Sequence, residues 1–392
     1  MTASVLSACD GRGRDGVSTK RADRPTDSVL PGPRSDIGTW MRPADTPDLA
    51  LGPESGSEPF HGVRDAVLLD SGGVVVANGG NGTLMYFDAE GHPVTTAGGS
   101  GGGPAEFQVL GEIARAEGGL VAFDRGADRF NRYDRTGSFL EGVPIRADDL
   151  VSSSLDFEGI NGSRRAVLAS SGHYDAAARD GIHTDTVSVL AFPLDGGPVD
   201  TLGAFPGSQT YVATGGPDTR SVQTFPRVFS GRVHVAAGDS TVAVAAPRAP
   251  VVHLFMNGEP RREIHWEAER RTVDEEAEEK LLESIRAQND GPRGRRLAER
   301  FRRIPLPDRM PAIGGLVVDD RGRIWIGEYV PPYSDEPQRW LVVSPRGEPL
   351  GTVTSPGGFT LTDVRDGRMV GLSTDEVDLI HLEVLALERP SD

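Results

Sequence analysis

Cysteine is nearly absent. Cys9 is the single one, so no disulfide can form within the chain. Lysine is almost as rare: all but two of the 41 basic residues are arginine, the exceptions being Lys20 and Lys280. That skew reads as a compositional bias, not as a binding signature. No run of about 18 apolar residues occurs, so no transmembrane helix is expected. Positive charge is outnumbered, 41 Lys and Arg against 58 Asp and Glu, for a net −17. This argues against nucleic acid and anionic membrane surfaces as partners. Asparagine is scarce. What abounds is glycine, 50 residues, with 29 prolines, as a chain of many tight turns requires.

The turns come in a repeating phrase. Alternating apolar residues lead to a small polar residue, two variable residues and Gly. Tyr86-Phe87-Asp88-Ala89-Glu90-Gly91 and Arg132-Tyr133-Asp134-Arg135-Thr136-Gly137 are two copies, and Leu341–Gly347 is a third. Asp or Ser followed three residues later by Gly suits a type I turn, in which the polar side chain bonds the backbone two residues on. An earlier turn often precedes the phrase, as in Asp70-Ser71-Gly72-Gly73 and Asp319-Asp320-Arg321-Gly322. Each copy therefore holds about four short strands. Gly91 and Gly137 lie 46 residues apart. Four strands per roughly 40–50 residues is the signature of propeller blades.

The expected fold is all-β, a six-bladed β-propeller, with blades starting near Phe60, Phe107, Leu155, Phe225, Ile313 and Phe359. The last blade is one strand short before the chain reaches Asp392. The stretch Ile37–Gly52, with Leu49-Ala50-Leu51-Gly52, is expected to supply that strand and so remove a free edge. Residues 1–36 read as a disordered tether and 37–392 as the propeller.

Residues 267–305 break the β pattern, between the fourth and fifth blades. Thr272 reads as an N-cap, with Glu275 reaching back. Val273, Ala277, Leu281 and Ile285 form an apolar stripe. Asn289-Asp290-Gly291-Pro292 stops the helix, and Leu297, Phe301 and Ile304 suggest a second short one. Acidic residues crowd the first helix and arginines the second. The insert reads as a cover packed on the propeller; a lid over one mouth or a partner-binding element is the alternative.

Gly98-Gly99-Ser100-Gly101-Gly102-Gly103-Pro104-Ala105-Glu106-Phe107 lacks the lysine of a phosphate loop and the spacing of a dinucleotide fingerprint. It matches Gly-x-Ser-x-Gly formally, but a nucleophile elbow needs a helix next, and Phe107–Ile113 reads as a strand. An inter-blade turn is expected. The run's closing Gly-Pro-Ala-Glu-Phe resembles the inter-blade phrase of NHL-like six-bladed β-propeller proteins of bacteria, with Ala105 in place of that family's third glycine. Trp340–Gly351, Pro356-Gly357-Gly358-Phe359, Val370-Gly371 and Asp375-Glu376 resemble the family's ending. The resemblance implies the fold over about Ile37–Arg389. It leaves function open, since propellers include binders, scaffolds, lactonases and lyases.

No two of the eight histidines are spaced as a local metal-ligand pair. Polar residues of each blade's first strand can face a central channel. The candidates for ligand binding there are His61, Arg64, Gln108, Glu112, Arg164, Arg227 and Thr362, with Asp156, Glu158 and Glu328 as further carboxylates. No catalytic residue, cofactor or metal ligand is assigned. The leading expectation is a monomeric, non-enzymatic propeller of the bacterial envelope, binding a peptide, glycan or protein partner at one mouth of its channel. The alternative is a lactonase-like hydrolase or lyase with Ca or Zn in the channel. Leu6-Ser7-Ala8-Cys9 resembles a bacterial lipobox, which makes Cys9 a lipidation candidate and a lipid anchor the only expected link to a membrane. No basic and apolar leader precedes Leu6, so an upstream in-frame start is the counterpart of that expectation. Without an anchor, the alternative location is cytoplasmic.

Overall fold

The structure is a computed structural model, and it describes residues 28–30, 37–53, 59–146, 154–162, 164–171, 180–214, 222–266, 269–289 and 291–390. Cys9 lies outside the described residues. Six antiparallel sheets follow one another along the chain, each a meander of hairpin-linked strands. The first strands of sheets 1 to 6 are Val63–Leu68, Leu110–Ala116, Ser154–Asn161, His234–Ala237, Ile313–Val318 and Thr360–Arg365. Each first strand lies beside the next, and the sixth lies beside the first, so the sheets form a ring.

The ring has no single core. Six apolar clusters fill six seams, each shared by two consecutive sheets. Phe123, Phe130, Phe157 and Phe192 pack between sheets 2 and 3, and Trp325, Trp340, Phe359 and Leu385 between sheets 5 and 6. Val76, Phe87, Val370 and Leu382 fill the closing seam between sheets 6 and 1. Central strands such as Val74–Asn78 and Ile324–Glu328 face a neighbour on both sides. They read as continuous apolar runs for that reason.

The recurrent phrase is turn chemistry. Asp88 Oδ1 accepts from Glu90 N at 3.1 Å and His92 N at 2.8 Å; Asp134, Asp319, Ser344 and Asp375 repeat the pattern two and four residues on. Gly91, Gly137 and Gly347 follow at φ of 87°, 84° and 77°, where a Cβ is disfavoured. The Gly-rich run is an inter-sheet turn. Gly99 O accepts from Phe107 N at 2.8 Å, and Ser100 Oγ donates to Asn81 O at 3.1 Å with no helix after it. Phe107 is thereby buried against Tyr133, 6.3 Å away.

Side chains of the inner strands cross the seams. Asp65 accepts from Ile113 N at 3.2 Å, joining sheets 1 and 2, and Asn161 Nδ2 donates to Gly238 O at 2.8 Å, joining sheets 3 and 4. One junction joins three sheets. Arg115 of sheet 2 donates to Leu68 O of sheet 1 at 2.9 Å and forms a bidentate pair with Asp363 of sheet 6, which also accepts from Leu68 N at 2.9 Å.

The final strand, Ile380–Glu388, pairs with Arg42–Pro43 and with Leu49–Leu51, whose Leu51 lies opposite Leu382. The N-terminal stretch therefore completes sheet 6, as its sequence suggests. Three expectations change. The fourth sheet begins at His234, not near Phe225, because Phe225 sits in a fifth strand of sheet 3, Val222–Pro226, opposite Tyr211. Part of the expected tether is a strand: Ser28–Leu30 runs parallel to the outer strand of sheet 4, Leu30 opposite Trp266. The first helix of the insert, α1 (Glu275–Ala287), is capped by Asp274, which accepts from Ala277 N, while Thr272 instead bridges Arg309. A second helix, α2 (Gly291–Phe301), packs on it.

Two stability predictions follow from this architecture. Asp363→Ala strands the mostly buried Arg115 guanidinium and should cost about 3–5 kcal/mol, measured by urea denaturation; a loss below about 1 kcal/mol would remove this pair from the account of closure. Ala105 sits at φ 65°, in the left-handed region that favours glycine. Ala105→Gly should therefore raise the unfolding midpoint, by up to about 1 kcal/mol in stability.

Candidate functional site

A cavity of about 780 Å³ opens among the beginnings of the first strands of sheets 4, 5 and 6. Two features outside the repeat wall it. One is the long hairpin of sheet 3, strands Gly181–Pro193 and Asp200–Thr214, which carries Ser208, Gln209 and Thr210 to the cavity. The other is the connector of sheet 5 from Val330 to Gln338.

The turn Arg227-Val228-Phe229-Ser230 forms the rim. Gln209 organises it: its backbone N–H donates to Ser230 Oγ at 3.2 Å, its Nε2 donates to Thr184 Oγ1 at 3.0 Å, and its Oε1 accepts from Arg227 at 2.6 Å. Arg227 Nε also donates to Pro305 O at 2.6 Å, which ties the insert to the rim. Phe229 has φ 61°. A bulky side chain in the left-handed region is a strained outlier. It is held there by burial among Ala277 and Leu281 of α1 and Met310, with Tyr333 edge-on at 6.1 Å. The insert thus packs on the back of the cavity wall.

The cavity's charges are uneven. Arg227 and Arg232 line it, and neither makes an ion pair among the described residues; the carboxylates whose charge acts on them are Asp308 for Arg227 and Glu158 for Arg232. Burial, aided by Arg232, pushes His234 down to about 3, so this imidazole is neutral. Burial, aided by the charge of Asp156, pushes Glu158 up to about 8. Outside the cavity lining, Arg125 contacts Glu112 at 3.0 Å and also pairs with Asp156. Asp65 is likewise pushed to about 8 by burial, against two backbone N–H bonds that favour its charge.

Of the sequence candidates, the structure brings Arg227 and Glu158 to the cavity and joins Glu112 to Asp156 through Arg125. The others are not part of it. His61 and Gln108 donate backbone N–H groups to Asn78 and Asp124 at turns of sheets 1 and 2. Exposed Arg64 lies outside the cavity lining. Arg164 pairs with Asp195 at 3.5 Å beyond the far end of its sheet's first strand. Thr362 donates to Ala66 O at 2.8 Å, a seam contact. Glu328 pairs with Arg339 at 3.3 Å beside a cleft of about 30 Å³. Arg232, His234, Gln209 and Gln338 were not singled out in the sequence. Their signal is positional only: they flank strands whose inward ends become visible once the ring is drawn. Among the described residues, no three His, Cys, Asp or Glu side chains converge as a metal site.

Glu158 gives the site a pH signature. A carboxyl whose folded value is raised binds its proton more tightly folded than unfolded, so it lowers stability progressively as pH rises from its ordinary value toward about 8. Between pH 5 and 7.5, Glu158→Gln should remove a slope of about −1.4 kcal/mol per pH unit from the unfolding free energy, read from denaturation at several pH values. An unchanged slope would contradict the burial of this group.

No protein-family model matches the sequence, and no curated protein is similar to it. Solved structures are similar to it only at low identity. A DUF4221-family protein from Bacteroides vulgatus is 10% identical, covering 87% of this chain and 97% of its own, with a TM-score of 0.47. A gluconolactonase from Xanthomonas campestris is 13% identical over 90% and 98% of the two chains, TM-score 0.41. Virginiamycin B lyase from Staphylococcus aureus is 10% identical over 86% and 98%, TM-score 0.42. At these values none of them transfers an activity to this chain.

Proposed function

We propose that the six sheets are the blades of an NHL-like six-bladed propeller and that the protein is a binding or scaffold module of the bacterial envelope. Its ligand is a peptide, glycan or protein segment taken into the 780 Å³ cavity at one mouth of the channel. One observation carries this reading: two guanidinium groups, Arg227 and Arg232, line one concavity, and neither is tied up in an ion pair among the described residues. A cation at the edge of a concave, partly apolar site is a ligand contact in waiting. The strained Phe229 beside it fits the same reading, because strain held by surrounding packing clusters at binding sites. The lipobox-like Leu6-Ser7-Ala8-Cys9 supports the envelope assignment, with Cys9 as the anchor.

The alternative, a hydrolase or lyase with Ca or Zn in the channel, has weaker support. Its natural ligands would be Glu112, Asp156 and Glu158. Arg125 already supplies the positive charge between the first two, and burial keeps the third protonated near neutral pH. These groups fit a divalent ion poorly.

Titration calorimetry with panels of acidic and neutral oligosaccharides and peptides tests the binding reading. Arg232→Ala should weaken the best ligand by about tenfold or more, the value of one charge-assisted hydrogen bond, while leaving the circular dichroism unchanged. Equal affinity in the variant, or no ligand in any panel, would remove the cavity as the binding site.

A further inference from the structure

Helix α2 carries a concentration of positive charge found nowhere else in this acidic chain. From Gly291 to Arg303 there are six arginines and one acid, Glu299, a net +5 in a protein whose total is −17. Arg293, Arg296 and Arg300 recur at helical spacing, and Arg303 extends the row one turn beyond the helix. These four fall within roughly 80° of arc. All six arginines are exposed. The opposite face, with Gly294 and Ala298 buried and Leu297 and Phe301 half-buried, packs inward. Among the described residues only Arg302 of the six has an acidic partner, Glu279 at 2.8 Å, and Glu279 is shared with Arg286 at 2.9 Å. Arg296 turns back to Pro292 O at 3.2 Å. Arg293, Arg295, Arg300 and Arg303 make no ion pair among the described residues.

The sheets do not need this element. Each of the six is complete without it, and the seams are filled by other residues. Its position is informative. The insert leaves sheet 4 after Trp266, and Leu30 of the parallel strand Ser28–Leu30 lies opposite that residue. The 27 residues preceding Ser28, Cys9 among them, therefore join the ring beside the strand from which the insert departs.

We propose that the arginine face of α2 is a docking surface for an anionic bilayer, read through its phosphate headgroups. The contact is electrostatic, without insertion, because the apolar face of α2 is spent on the rest of the protein. The net charge of −17 does not forbid it. At physiological ionic strength the Debye length is about 8 Å, so acidic residues across the molecule are screened from a surface that the arginines touch. This inference is independent of the ligand in the cavity.

The test is co-sedimentation of the unlipidated full-length chain with vesicles of phosphatidylcholine, alone or with one-third phosphatidylglycerol. Binding is expected only to the anionic vesicles and should fall steeply at about 0.5 M salt. The quadruple variant Arg293→Gln, Arg296→Gln, Arg300→Gln, Arg303→Gln should bind at least about tenfold more weakly. A control, Arg135→Gln with Arg346→Gln, removes exposed charges elsewhere and should bind like the wild type. Failure of the wild type to bind anionic vesicles overturns the proposal. So does equal loss in the control, or a quadruple variant that binds as well as wild type. A wild type that binds inorganic polyphosphate but not the vesicles would assign the surface to a soluble polyanion and overturn it too.

Discussion

Everything else in this molecule depends on a junction of three side-chain and backbone contacts. Arg115, Leu68 and Asp363 belong to sheets 2, 1 and 6, and together they fasten the point where the ring closes. A ring of sheets gains its stability at the seams, and each seam needs its neighbours in register. Opening the closing seam would bare Val76, Phe87, Val370 and Leu382 together. A buried ion pair is an expensive way to hold a seam, since both charges must leave water. Its advantage is directional. Apolar residues tolerate sliding, whereas a bidentate pair that also satisfies Leu68 N–H and C=O accepts one register.

The cavity and the insert are consequences of departures from the repeat. Sheet 3 lengthens its hairpin, and the chain between sheets 4 and 5 adds two helices. Phe229 is where the two departures meet: it belongs to the turn after sheet 3's extra strand and is gripped by α1. The rim arginine Arg227 is likewise held from both sides, by Gln209 and by Pro305. A site built this way is rigid at its edge without altering the ring beneath.

What the sequence disclosed follows the range of the interactions. The Asp88, Asp134 and Ser344 turns were legible because donor and acceptor lie within four residues. The completion of sheet 6 by Leu49-Ala50-Leu51 was legible because a strand was missing and a matching one was in hand. The seam contacts were not. Asp65 reaches 48 residues along the chain and Arg115 reaches 248, and neither sits in a local pattern. Arg227 reaches the cavity by another route than its sequence context suggests: Phe225 reads as the start of a sheet and is the edge of the previous one. Its alternating apolar pattern suits either position. His61, Gln108 and Thr362 make turn and seam contacts, because a polar residue near the start of an inner strand serves turns and seams as readily as a channel. The helices were placed correctly and the N-cap missed by two residues, since Thr272 and Asp274 are both capable caps and only the bridge to Arg309 decides between them.

The pairing of Ile380–Glu388 with Arg42–Pro43 and Leu49–Leu51 also governs how the protein can be made. Sheets 1, 2, 3 and 5 are local meanders, and sheet 4 adds to its meander only a strand that has already emerged, so all five can form while the ribosome, adding about 5–20 residues per second, is still at work. Sheet 6 cannot be completed until nearly the whole chain has emerged, because its strands come from both ends. For that interval the nascent chain is an open arc with two apolar faces exposed at its ends. Those faces are where a chaperone would hold it, and where an unfinished second copy would compete to complete the wrong ring.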